Sequence, residues 1–88
     1  PAVGGSEAYF ARLAAYHVDH GQDAAAEPVL RECLAIREKA QPDAWTTANT
    51  RSVLGGSLLG QGKPAEAEPL LVAGYEGLKA REKAIPPE

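Results

Sequence analysis

Cysteine is nearly missing from this 88-residue chain: Cys33 stands alone, so neither an internal disulfide nor a cysteine pair for zinc is possible. Positive charge is scarce as well. Nine Lys and Arg against twelve Asp and Glu leave a net charge of -3 and a pI near 5.3, the opposite of the basic stripe with which a nucleic-acid binder neutralises phosphates. Nucleic acid is not an expected partner. No apolar run exceeds four residues, whereas a membrane span needs ~20, and no charged-then-apolar leader precedes a cleavage site. A soluble, cytoplasmic chain in a reducing compartment is expected, without a membrane partner. Large apolar side chains are few too: 17 of the 39 hydrophobic residues are Ala, so the core must be thin and its elements closely spaced. The length allows one small domain and excludes a multidomain enzyme. Methionine is absent and the first residue is Pro1, which leads us to expect a processed chain or a piece of a longer one.

What is present is punctuation. Gly4-Gly5, Gly21, Pro42, Gly62 to Pro64 and Pro86-Pro87 divide the chain into four segments. The first is expected to be helical from an N-cap at Ser6 to His20, with Phe10, Leu13, Ala14, His17 and Val18 inward and Gly21 as its stop. The second opens at Asp23, carries Val29, Leu30, Cys33, Leu34 and Ile36 along one side and ends before Pro42. The third is expected to be capped by Asp43 and to turn Val53, Leu54, Leu58 and Leu59 inward. The fourth starts at Pro64, carries Leu70, Leu71, Tyr75 and Leu78, and runs to Pro86-Pro87. No segment alternates with period two. An all-α chain of antiparallel helices with short loops follows.

The chain also resembles itself. Ala26-Glu27-Pro28 returns as Ala67-Glu68-Pro69 at an offset of 41, where Leu13 meets Leu54, Val18 meets Leu59, Gly21 meets Gly62, Ala24 meets Ala65 and Leu30 meets Leu71. Arg37-Glu38-Lys39-Ala40 returns as Arg81-Glu82-Lys83-Ala84 at an offset of 44, placing three extra residues inside or after the last helix. Each unit is one helical hairpin, and a hairpin buries its apolar face only by stacking on another.

Leu54-Gly55, Leu58, Gly62, Ala65-Glu66-Ala67 and Leu71 resemble the tetratricopeptide repeat; the first copy departs from it with Ala14 in place of the Gly and His17 in place of a large apolar residue. The unit length, with Leu34-Ala35-Ile36-Arg37-Glu38-Lys39 and Glu66-Ala67-Glu68-Pro69-Leu70, is similar to the kinesin-light-chain variety of that repeat. The style of Asp43 to Leu59 and of Gly74 to Pro87 is similar to the repeat regions that follow the catalytic domain in some bacterial serine/threonine protein kinases. The resemblance implies two stacked helix-turn-helix hairpins, repeat 1 about 6–41 and repeat 2 about 43–85, forming a single domain that is a fragment of an α-solenoid. It also implies a concave groove, lined by the first helix of each unit, that holds a protein or peptide partner. The groove floor is then Ala8, Ala11, Ala15 and Asp19 with Asn49, Ser52, Gly56 and Leu59. The family's clamp for a terminal carboxylate is not expected, because Ala15 and Gly56 stand where Asn is needed and Ala11 and Ser52 where Lys is.

Other residues invite sharper readings. His17, Asp19 and His20 could suggest a metal site, but His17 matches the packing position Leu58 and His20 matches Gln61 at a helix end. Cys33 matches Gly74, where a small residue fits beneath a crossing helix, and is expected to be a buried small hydrophobe. Gly55, Gly56, Gly60 and Gly62-Lys63 fail as a phosphate loop, since Ser57 takes the place of the first Gly and Pro64 that of the magnesium ligand; close helix approach is the expected use of those glycines. Glu66 and Glu68 are expected to be solvated. Trp45 has no counterpart in the repeat and either seals the edge between the second and third helices or anchors a partner. Arg51 either forms a surface ion pair or reaches an acidic group of the partner.

The expected function is that of a noncatalytic interaction module or scaffold, with no cofactor and no metal, acting through Ala11, Ala15, Asp19, Trp45, Asn49, Arg51, Ser52, Gly56 and Leu59. A second reading is a purely structural unit that self-associates or stacks on further repeats through apolar area on the fourth helix, at Leu78 and Ile85. A small hydrolase or metal enzyme using His17, His20 and Cys33 is the remaining class.

Overall fold

The computed structural model describes residues 2–86, with side chains from residue 8 onward. It contains helices α1 (Ala2–Asp19), α2 (Asp23–Ala40), α3 (Trp45–Gly60) and α4 (Pro64–Ala80), then a 3-10 turn at Glu82–Ala84, and the described residues form no strand. The helices form two antiparallel hairpins, α1 with α2 and α3 with α4, stacked through α2 against α3.

Both hairpins turn by the same backbone device. Gly21 and Gly62 take φ of 70° and 77°, a region in which glycine carries no Cβ penalty. Beyond them the N–H of Gln22 donates to the His17 carbonyl at 2.7 Å and that of Lys63 to the Leu58 carbonyl at 2.9 Å. Gly21 and Gly62 themselves donate to Val18 and Leu59, each at 3.0 Å. These paired bonds satisfy the last carbonyls of α1 and α3 and reverse the chain.

Helix starts depart from the sequence reading. The backbone of α1 is helical from Ala2, so Ser6 is an interior residue and Gly4-Gly5 lie within the helix; glycine costs ~1 kcal/mol there relative to Ala, a penalty rather than a prohibition. Asp43 is not the cap of α3. That position belongs to Ala44, with no side-chain hydrogen bond, because the Asp43 carbonyl accepts from Arg81 Nε at 2.7 Å and Thr47 Oγ1 secures the loop by donating to the Gln41 carbonyl at 2.6 Å. Pro64 does open α4, but the helix stops at Ala80. The second copy of the Arg-Glu-Lys-Ala motif therefore lies in the following turn, whereas the first is the last turn of α2. The three extra residues fall after the helix.

The core is as small as the composition requires: Ala14, Ala26, Leu30, Leu34, Leu54, Leu58 and Ala67, with Val29, Val53, Leu70 and Leu71 against it. Ala26 and Ala67, one repeat apart, are both fully enclosed. Val18, Leu59 and Tyr75, expected inward, are instead 36%, 53% and 63% exposed. A three-four spacing is compatible with two adjacent stripes of a helix, and the neighbouring helices cover only one. On α4 the exposed apolar residues are Val72 and Tyr75; Leu78 and Ile85, expected to be bare, are half-buried.

Candidate functional site

Where α1, α2 and α3 come together, a cavity of about 140 Å³ remains. Its α1 wall is Ala11, Ala14 and Ala15, its floor is Leu30, Cys33 and Arg37 of α2, and its far wall is Asn49, Thr50 and Val53 of α3. The alanines leave room because they project only a methyl group. Cys33 is 1% exposed, the small buried residue expected at that crossing. Arg37 Nη1 donates to Thr50 Oγ1 at 2.9 Å, and Thr50 Oγ1 donates in turn to the Thr46 carbonyl at 2.7 Å. This relay fixes a positive charge beside an otherwise apolar space. A volume of this order accepts a benzene-sized group, which is one aliphatic or aromatic side chain.

Of the residues named from the sequence, the structure gathers Ala11, Ala15 and Asn49 here. Gly56, seven residues beyond Asn49, shares its side of α3 and faces open space, so close helix approach does not explain this glycine. Ser52 points the other way, against Gly74 of α4. Arg51 pairs with Glu38 through Nε at 3.2 Å, the expected surface ion pair, and borders a separate hollow of about 110 Å³ with Asp43, Ala48, Gly77 and Arg81. Asp19 and Leu59 are exposed, and Trp45 is half-buried at the start of α3. Ala14, Leu30, Cys33, Arg37, Thr50 and Val53 were missed as lining residues. The match of Cys33 to Gly74 was the available signal, since the larger residue at one of two equivalent crossings leaves space beside it.

The histidines have other occupations. His17 Nδ1 is hydrogen-bonded to Gln22 Oε1 at 2.8 Å. His20 Nδ1 donates to the Tyr16 carbonyl at 2.7 Å, and its ring lies 4.1 Å from that of Tyr16. Among the described residues no group of three or more His, Cys, Asp or Glu could hold a metal ion, and no helix is long and apolar enough to cross a membrane.

The electrostatic centre of the chain lies at the joint between hairpins. Glu27 accepts from Gln61 Nε2 at 3.0 Å, from Arg31 Nε at 2.8 Å and from Lys63 Nζ at 3.3 Å. The Gln61 bond first, then those of Arg31 and Lys63, hold its carboxyl at a pKa of about 2. Ser57 Oγ adds a bond to the Asp23 carbonyl at 2.7 Å. The turn after α3 is thus fastened to α2.

Comparison with known proteins agrees with the hairpin geometry. No curated protein and no solved structure matches the chain. Residues 8–40, which run from within α1 to the end of α2, match the family model described as the tetratricopeptide repeat.

Proposed function

We propose that this chain is a noncatalytic protein-interaction module that seats one apolar side chain of a partner peptide in the cavity between α1, α2 and α3. The observation that carries the reading is the cavity itself: about 140 Å³, walled on one side by three alanines and bordered by the exposed Asn49. Tetratricopeptide repeats generally mediate protein–protein contact, which agrees with it. In this reading Ala11 and Ala15 admit the anchor, Leu30 and Val53 desolvate it, and the exposed Asn49 amide pairs with the peptide backbone. Gly56, Leu59 and Asp19 extend the surface toward the turns. Repeats at about 6–41 and 43–85 work as one domain. The 41-residue unit and the segment Leu34 to Lys39 support the kinesin-light-chain variety, and the style of residues 43–59 supports a cytoplasmic regulatory segment beside a bacterial serine/threonine kinase domain.

The test is to pan a random peptide library on the 88-residue chain and rank the enriched peptides against an Ala15→Trp variant. Ala15 is exposed at the rim, so the variant fills the mouth without touching the core. Expected are peptides sharing one apolar anchor, bound at least tenfold more weakly by the variant at unchanged melting temperature. Failure of any peptide to enrich, or equal binding to both proteins, would sink the reading.

A further inference from the structure

The joint between the hairpins is made by one face of α2 and one of α3, and the 41-residue offset locates the same faces at the two ends of the chain. On α2 the stripe is Glu27, Arg31, Leu34 and Glu38. Glu27 reaches Gln61 and Lys63, Arg31 Nη2 lies 3.5 Å from Glu66, Glu38 pairs with Arg51, and Leu34 is buried. The matching stripe on α4 is Glu68, Val72, Tyr75 and Lys79, all exposed. On α3, Thr50 and Ser57 are 3% and 2% exposed at the joint; their counterparts on α1, Tyr9 and Tyr16, are 57% and 54% exposed. All three tyrosines of the chain thus occupy its two outer faces, and Tyr is enriched where proteins meet.

Both outer faces depart from the inner joint in the same direction. Thr50 with Arg37 corresponds to Tyr9 with Leu78, and Ser57 with the backbone carbonyl of Asp23 to Tyr16 with the backbone of Pro64. Gln61 with Glu27 corresponds to His20 with Glu68, which again joins a donor to a carboxylate. At the Thr50–Arg37 contact both partners give way to less polar side chains, one on each outer face, while the Gln61–Glu27 contact keeps a donor facing a carboxylate.

We propose that the α1 face of one copy of this chain, through Tyr9 and Tyr16, docks on the α4 face of a second copy, through Val72, Tyr75 and Leu78, in the geometry that joins α3 to α2 within the chain. A second copy is the occupant because the chain already contains one such joint and supplies both halves of the next in register. The contact is head to tail, so it does not close on itself as a twofold dimer does, and assembly continues with concentration. The peptide cavity lies within the chain rather than at either outer face, and the two proposals fail separately.

The test is light scattering of the 88-residue chain over a wide concentration range, alone and as Tyr16→Glu and Tyr75→Glu variants, with helicity checked by circular dichroism. The wild type is expected to gain mass continuously, and each variant alone to remain one chain. An equimolar mixture of the two is expected to give a pair of twice that mass and nothing larger, because the intact tail of one meets the intact head of the other. Tyr75→Ser, which introduces no charge, serves if Tyr75→Glu loses helicity. A wild type that stays at one chain mass up to millimolar concentration, a variant that pairs with itself, or a mixture that does not pair overturns the proposal.

Discussion

Where α3 crosses α4, a Cβ added to Gly74 would come within 2.8 Å of the Ser52 amide nitrogen and 3.0 Å of the Ala48 carbonyl oxygen; one on Gly77 would come within 2.6 Å of Ala48 Cβ. At Gly55 the same atom would lie 2.8 Å from Leu71 Cγ. One repeat earlier these three positions are Cys33, Ile36 and Ala14. The second hairpin uses bare backbone to close, and among the described residues α3 with α4 is the most extensively packed helix pair. The first places a methyl, a thiol and a sec-butyl group at the equivalent points, and two of these residues, Ala14 and Cys33, line its cavity. One design thus yields two outcomes: glycine at positions 55 and 74 brings α3 against α4 and leaves only the smaller hollow beside Gly77, while Ala14 and Cys33 stand at the larger cavity.

Exchanging the two crossing residues breaks this comparison most directly. Gly74→Cys forces a side chain against backbone and is expected to cost about 2–3 kcal/mol. The reverse change, Cys33→Gly, loses a small buried group and adds a helix-interior glycine, at about 1–2 kcal/mol. Chemical denaturation of both variants reads the difference, and equal costs would mean that the hairpins are packed alike.

A smaller effect tests the joint between the hairpins. With its pKa held at about 2 against the usual 4.5, Glu27 stabilises the fold fully above pH 4.5 and progressively less as acid approaches pH 2. Melting curves across that window are expected to show Glu27→Gln less stable than wild type at neutral pH and converging with it near pH 2. The smallest effect belongs to Arg51→Ala, which removes a partly exposed ion pair with Glu38 and is expected to shift stability by less than about 0.5 kcal/mol. A larger loss would show that the Glu38–Arg51 pair holds the joint more strongly than a surface ion pair does.

The repeat was legible because its strongest signals are backbone requirements. Gly21 and Gly62 need positive φ, Ala26 and Ala67 need to be small, and neither requirement depends on what surrounds the hairpin. Caps and edges were less legible. Asp43 has the chemistry of a cap, yet Arg81, 38 residues away, holds its carbonyl, and the echo of Arg37 to Ala40 in Arg81 to Ala84 is one of letters rather than of helix position. Only a third of the cavity lining was legible, for a geometric reason. Ala11, Ala15 and Asn49 follow from which helices line the inner face, but Ser52 is turned away from Asn49 toward Gly74, a rotation that depends on how closely α4 approaches. That the larger Cys33 leaves a hollow where Gly74 leaves none emerges only once both crossings are built.

Cys33 has one more consequence, for kinetics rather than for packing. It is the single thiol in the chain, 1% exposed on the floor of the cavity, so an electrophile too bulky to enter the cavity can reach sulfur only after α1 has lifted. The labelling rate then counts openings of the first hairpin with no background from any other residue. The residue that props the cavity also times the motion by which the cavity is uncovered.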